Sequence, residues 1–80
     1  MKVYLVYWCN NEPYEDYSES VDAAFSTRES AERYIASKGY RPHKYASDWE
    51  RENFPGLWDK RIDEWDTFSM WVREMEVGDD

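Results

Sequence analysis

The sequence predicts an α+β domain: a three-stranded antiparallel sheet packed by one principal helix. Three observations predict it. An alternating run of aliphatic and aromatic residues occupies residues 2–9, a capped amphipathic stretch residues 27–38, and a second alternating run residues 69–77. The chain has 80 residues, enough for one domain, so residues 1–80 are expected to form a single unit. Its formal net charge is -8, yet 19% of its residues are aromatic, with five Trp, seven Tyr and three Phe. So high a charge with few aromatics would mark disorder, whereas here the aromatics supply material for a core.

The first strand covers Lys2 to Cys9. Tyr4, Val6 and Trp8 fall on one face and Val3, Leu5 and Tyr7 on the other, and both faces are apolar or aromatic, which suits a central strand covered on both sides. Asn10 to Ser18 is too polar for a core and is expected to protrude as a loop, being longer than the common hairpin connections of about 2–5 residues. Residues 20–26 then alternate, with Val21, Ala23 and Phe25 against Ser20, Asp22 and Ala24, and form an antiparallel partner for the first strand.

Ser26-Thr27-Arg28-Glu29 fits a capping box, in which the Ser hydroxyl accepts the third helical amide and the Glu reaches back to the cap amide. Ala31, Tyr34, Ile35 and Lys38 recur at helical spacing, and Gly39 stands where a left-handed residue closes a helix, so the main helix spans 27–38. Ser47-Asp48-Trp49-Glu50 repeats the cap pattern and opens a short second helix in 47–54, ended by Phe54-Pro55-Gly56. Residues 57–68 fit either period: Trp58, Ile62 and Trp65 have helical spacing, while Trp58, Lys60 and Ile62 share one strand face. The closing segment is taken as a strand rather than a helix, because two strands alone rarely make a stable sheet.

Charge is unevenly distributed. Residues 23–47 hold five basic and two acidic side chains, whereas residues 1–22 hold one basic against five acidic and residues 48–80 four against eleven. A pI near 4.5 disfavours nucleic acid and anionic membrane surfaces as partners and favours a basic one. The longest apolar run, Val3 to Cys9, is far short of the about 20 residues of a membrane span, and no small-residue cleavage site follows it. A single cysteine, Cys9, excludes an internal disulfide framework and fits a reducing cytoplasm.

Candidate chemistry is sparse. His43 is the only histidine, has no Ser or Cys at a motif spacing, and is expected to be a solvated loop residue. Cys9 ends an apolar strand without a basic neighbour and is expected to be a small buried hydrophobe. With one Cys and one His, a zinc site lacks ligands, and Asp59, Asp63, Glu64 and Asp66 lack the alternating order and central Gly of a calcium loop. No catalytic residue, metal or cofactor is therefore assigned. The acidic run is either a solvating surface or a docking surface. In the second case Glu12, Tyr14, Glu15, Asp16, Tyr17 and Glu19 of the first loop, with Asp59, Asp63, Glu64 and Asp66, bind a basic partner. Tyr14 and Tyr17 either anchor that contact or fold over the sheet edge, and Trp49, Trp58 and Trp65 are either core or a stacking platform. Three or more of these five aromatics on one open acidic surface would indicate an interface.

The segments KVYLVYW, AFSTRESAERYIASKG and WVREMEV resemble small uncharacterised proteins of bacteriophages and bacteria, in which a hairpin runs into a helix introduced by Phe-Ser-Thr/Ser and a final strand alternates acids with hydrophobes. These segments cover about half of the chain, and residues 41–68 have no counterpart in the resemblance. The resemblance implies a phage origin and a role in the host cytoplasm, where short acidic phage proteins often bind and inhibit host enzymes, including nucleases of defence systems. The expected function is thus a non-enzymatic protein-binding module directed at a host protein with a basic surface, of anti-defence or DNA-mimic type. The alternative is a structural domain that completes its core by pairing as a homodimer.

Overall fold

In chain order the elements are β1 (Lys2–Cys9), β2 (Glu19–Phe25), α1 (Arg28–Ser37), β3 (Arg41–Pro42), α2 (Asp48–Asn53), β4 (Trp58–Arg61) and β5 (Thr67–Glu76), with one 3-10 turn at Tyr14–Asp16. They come from a computed structural model that describes residues 1–78. The strands form one sheet in the order β2-β1-β5-β4-β3, and each neighbouring pair is antiparallel. The α+β class predicted from the alternation and the caps holds. The strand count does not: five strands replace three. The two additions carry almost no strand signal, since β3 is two residues ending in Pro42 and β4 (Trp58-Asp59-Lys60-Arg61) has a single apolar side chain. The strand-face reading of Trp58 and Lys60 is the one realised, and Ile62 falls just beyond it.

β1 and β5 pair over eight residues, from Lys2↔Glu76 to Cys9↔Ser69. This register puts Val6 opposite Val72 and Trp8 opposite Met70 on the face that α1 covers. Val6, Ala31, Ile35, Tyr40 and Met70 are the buried centre, and Tyr4, Trp8, Ala23, Phe25, Tyr34, Trp58, Phe68 and Val72 ring it. Seven of the fifteen aromatics thus belong to this small core, six of them as its wall. Their offset contacts include an edge-on Trp8–Phe68 pair at 5.1 Å and a tilted Phe25–Tyr34 pair at 5.3 Å.

α1 buries Ala31 and Ile35, one turn apart, with Tyr34 beside them. Its N-cap is Thr27 rather than Ser26: the Thr27 hydroxyl accepts from the Ser30 amide at 3.1 Å and donates to the Ser30 hydroxyl. The predicted box was therefore one residue early, and Glu29 does not reach back. At the other end Gly39 takes φ +91°, where a Cβ would be strained, and its amide bonds to the Ala36 carbonyl at 3.0 Å. Lys60 of β4 donates to the Lys38 carbonyl at 2.8 Å, placing a cation at the negative end of the helix. The second N-cap is Ser47 as predicted, its hydroxyl accepting from the Glu50 amide, while the Glu50 carboxylate turns back to the amide of Ala46 rather than to that of the cap residue.

Two expectations about the strands need correction. The β1–β2 register shifts between Val6 and Tyr7, so Ala23 faces Val6 while Val21 faces Tyr7, and Asp22 is the extra residue of a bulge. Val21 therefore does not share the face of Ala23 and Phe25; it lies on the far face, 51% exposed. Moreover, β1 is not covered on both sides. The far face carries Val3, Leu5, Tyr7, Trp71 and Arg73, half-buried or exposed, with Tyr7 stacked on Trp71 and the Arg73 guanidinium 5.5 Å from the Tyr7 ring centre. Among the described residues, the excursion between β3 and β4 lies against that face on its β4–β5 side, and Asn11 reaches it at Ser69.

Ile35 is fully buried at the centre of this core. The Ile35→Ala variant should lose about 2–5 kcal/mol of unfolding free energy, measured by urea denaturation, because a small core has little capacity to collapse around the cavity.

Candidate functional site

Two consecutive asparagines shape the connection after β1. Asn10 braces it internally: its side-chain amide donates to the Asp16 carbonyl at 2.7 Å, and its side-chain oxygen accepts from the amides of Glu12 and Ser18 at 3.1 and 3.0 Å. Asn11 sits at φ +58°, a left-handed conformation that asparagine tolerates, and sends its side chain across to β5. There its Nδ2 donates to the Thr67 carbonyl at 2.7 Å and to the Ser69 hydroxyl at 2.8 Å. The β1–β2 loop is thereby tied to the root of the β4–β5 turn.

That turn is built by Asp63, whose Oδ1 accepts the amides of Trp65 and Asp66, each at 2.8 Å. These two backbone amides hold the Asp63 carboxyl below its usual range. The Ile62 amide closes the turn on the Asp66 carbonyl at 2.9 Å, and Arg61 donates to the Asp63 carbonyl at its base. Trp65 is left at the tip, 89% exposed, between Glu64 and Asp66.

The two loops form one end of the molecule. Of the residues singled out in the sequence, Glu12, Tyr14, Glu15, Asp16, Tyr17 and Glu19 come to it from the first loop and the start of β2, and Asp63, Glu64 and Asp66 from the turn. Glu12 and Asp66 approach each other across the gap: the Glu12 carboxyl is pushed up first by its side-chain interaction with Asp66, then by desolvation and by the charges of Asp66 and Asp16. The Tyr17 hydroxyl donates to the Glu19 carboxylate, which pushes the phenol up. Tyr14 is 95% exposed and sits at φ +54°, a conformation a tyrosine rarely adopts. Tyr14, Tyr17 and Trp65 are three of the five aromatics whose joint exposure was to mark an interface. Trp49 is exposed on α2, away from this end, and Trp58 is half-buried against the core, so no platform of three Trp exists.

No family model matches the chain, and neither a curated protein nor a solved structure matches it. The geometry of the site therefore stands alone.

Asp59 does not join this end. It faces a second polar assembly on the far face of the sheet, where His43 is bonded by Asp59 through Nδ1 and by Glu50 of α2 through Nε2. The other oxygen of Asp59 accepts from Ser69, 3% exposed, at 2.9 Å. Asn11 and then the Cys9 thiol, which donates to the Asn11 side-chain oxygen at 3.3 Å, extend the chain of bonds. His43 is thus not the solvated loop residue its sequence context predicts, because two carboxylates, seven and sixteen positions further on, enclose it. Ser69 donates to Asp59 and not to His43, so the imidazole does not take the serine proton. Cys9 is buried, as its place at the end of an apolar strand predicts. Among the described residues, no group of three or more His, Cys, Asp or Glu side chains could hold a metal ion, and no helix is long and apolar enough to cross a membrane.

Asn11 is the residue that sequence reasoning missed, since nothing in an Asn-Asn pair reveals a partner more than fifty positions away. Asn11→Gly keeps the left-handed backbone and removes the tether. It should cost about 0.5–1.5 kcal/mol in chemical denaturation and shift the backbone NMR resonances of residues 62–67, whereas the core resonances of α1 stay in place.

Proposed function

We propose that the chain is a small non-enzymatic protein-binding module whose acidic, aromatic end docks on a basic surface of a partner protein. The observation that carries this reading is the convergence of Tyr14, Tyr17 and Trp65 with seven carboxylates on two tethered loops. A surface that only solubilises has no need for large aromatics at its tips. Exposed Tyr and Trp supply contact area with few torsions to freeze, while surrounding like charges raise the rate of encounter with an opposite charge. The left-handed Tyr14 adds to this, because such a conformation costs of order 1–3 kcal/mol and places the ring outward, where it makes no core contact. The mutual proximity of Glu12, Asp16 and Asp66 is a like-charge strain that cations of a partner would relieve.

The partner that fits is a host protein with a basic groove, and the reading includes a phage-encoded inhibitor acting in the host cytoplasm, the setting that the resemblance of the hairpin and helix segments implies. A nucleic-acid-binding groove on that protein would offer both cations and flat apolar surface. A second reading, self-association, is favoured by a separate observation. The far sheet face leaves Val21 and Met75 in the open beside the Tyr7–Trp71 stack.

The test is affinity capture from a bacterial lysate at low and moderate salt, with the wild-type chain and a Tyr14→Ala/Trp65→Ala variant. A partner retained by the wild type, weakened by salt and lost from the variant supports docking through this end. Absence of any retained protein at every salt concentration, or equal retention by the variant, overturns it. Light scattering coupled to size exclusion reads the second possibility directly, as a homodimer insensitive to the same two substitutions.

A further inference from the structure

We propose that protonation of His43 latches residues 44–56 against the far face of the sheet, and that loss of this proton frees α2 while the sheet stays intact. The segment is an Ω-type loop with a closed neck, where the His43 amide donates to the Leu57 carbonyl at 2.9 Å. Tyr45 braces it from within: its hydroxyl donates to the Phe54 carbonyl at 2.6 Å and accepts from the Leu57 amide at 3.1 Å. None of the residues of α2 is buried, so apolar packing contributes little to holding that helix down. Tyr45 ties the C-terminal end of α2 to the neck, and the imidazole, bonded to Glu50 on one side and Asp59 on the other, ties the first turn of α2 to the sheet.

Both ring nitrogens face carboxylates, and carboxylates only accept. Two donors are available only in the imidazolium; the neutral ring has one N–H and turns a lone pair toward the remaining carboxylate. One contact must then open, and the structure decides which. Asp59 is fixed by its place in β4 and by the buried Ser69 hydroxyl on its second oxygen. Glu50 sits on a six-residue helix, and its second oxygen has only a 3.3 Å contact with the Ala46 amide. The Glu50 contact is the weaker, so α2 swings and Asp59 keeps the ring. The charged neighbours of this cluster are Arg41 of β3, cross-strand from Asp59 on the same face, and Arg51 of α2, whose guanidinium lies 5.5 Å over the Tyr45 ring that meets the imidazole edge-on at 4.9 Å.

The direction with pH follows. Asp59 first, then Glu50, raise the affinity of His43 for its proton above the ordinary histidine value. The latch is therefore closed below that ordinary value and is lost as pH rises through the raised one. On the acid side Glu50, held below its usual range by His43 and the Ala46 amide, must be protonated before it lets go. The closed state thus occupies a window from below the ordinary glutamate range to above the ordinary histidine range. Movement of α2 alters the groove of about 360 Å³ whose walls are Asn53, Phe54 and Leu57 of the loop and Trp71 and Arg73 of the sheet.

Amide hydrogen exchange by NMR on the full chain, corrected for the intrinsic pH dependence of exchange, tests this alongside the His43 ring titration. The Arg51 and Phe54 amides, which bond within α2 to Ser47 and Glu50, should lose about tenfold in protection per pH unit as His43 deprotonates. The amides paired between β1 and β5 should keep theirs. His43→Gln should show the low α2 protection at every pH. Should that variant fail to fold, Glu50→Gln should lower the His43 pKa and remove the pH dependence of α2. Constant α2 protection through the His43 titration, or loss of α2 and β1–β5 protection together, overturns the proposal.

Discussion

The structure depends on the antiparallel pairing of β1 with β5. It joins strands separated by more than fifty residues, so the entropy of closing the intervening chain must be offset by one contiguous interface. That interface provides Val6, Val72 and Met70 for the core and gives β2 and β4 an inner neighbour each. It also fixes which loops are neighbours. Because Cys9 lies opposite Ser69, whatever follows β1 must stand beside whatever precedes β5. The acidic end is a consequence of this register: a two-residue slip would leave Asn11 without Thr67 and Ser69.

Placement of charge matters more than its sum. The formal charge of -8 suggests a uniformly acidic surface, yet the cross-strand register puts Arg41, Arg61 and Arg73 on the far face of the sheet. The carboxylates of the two loops gather at one end. The loop end therefore presents a field dominated by carboxylates, while the sheet face offers guanidinium groups beside the Tyr7–Trp71 stack.

What the sequence revealed and what it concealed divide along a physical line. Signals carried by neighbouring residues were legible: the alternation of β1 and β5, the Ser47 cap, the left-handed Gly39. Where two adjacent hydroxyl residues compete for one role, as Ser26 and Thr27 do, local pattern alone placed the cap one residue early. β3 and β4 were hidden because a strand of two or four residues is defined by its partner, not by its own periodicity. The same holds for side chains. Tyr14 and the carboxylates of the first loop were recognisable as a surface, but their union with Trp65 required the Asn11 tether. His43 was misread for this reason too, since Glu50 and Asp59 converge on it only through the turn of α2 and the placement of β4.

The bulge in β2 has a meaning beyond register. This strand is an outer edge of the sheet, seven residues long, and includes the run Ala23-Ala24-Phe25, so its free amides and carbonyls are a template on which another extended chain could grow. Asp22 interrupts that template at mid-strand: the extra residue bends the edge, and its carboxylate is turned to accept the Tyr34 hydroxyl of α1. A chain adding to this edge would have to break that bond and accommodate a misaligned ladder. One carboxylate thus guards the longer open edge of the sheet, a local barrier to strand addition that depends on its position and not on the sum of charge.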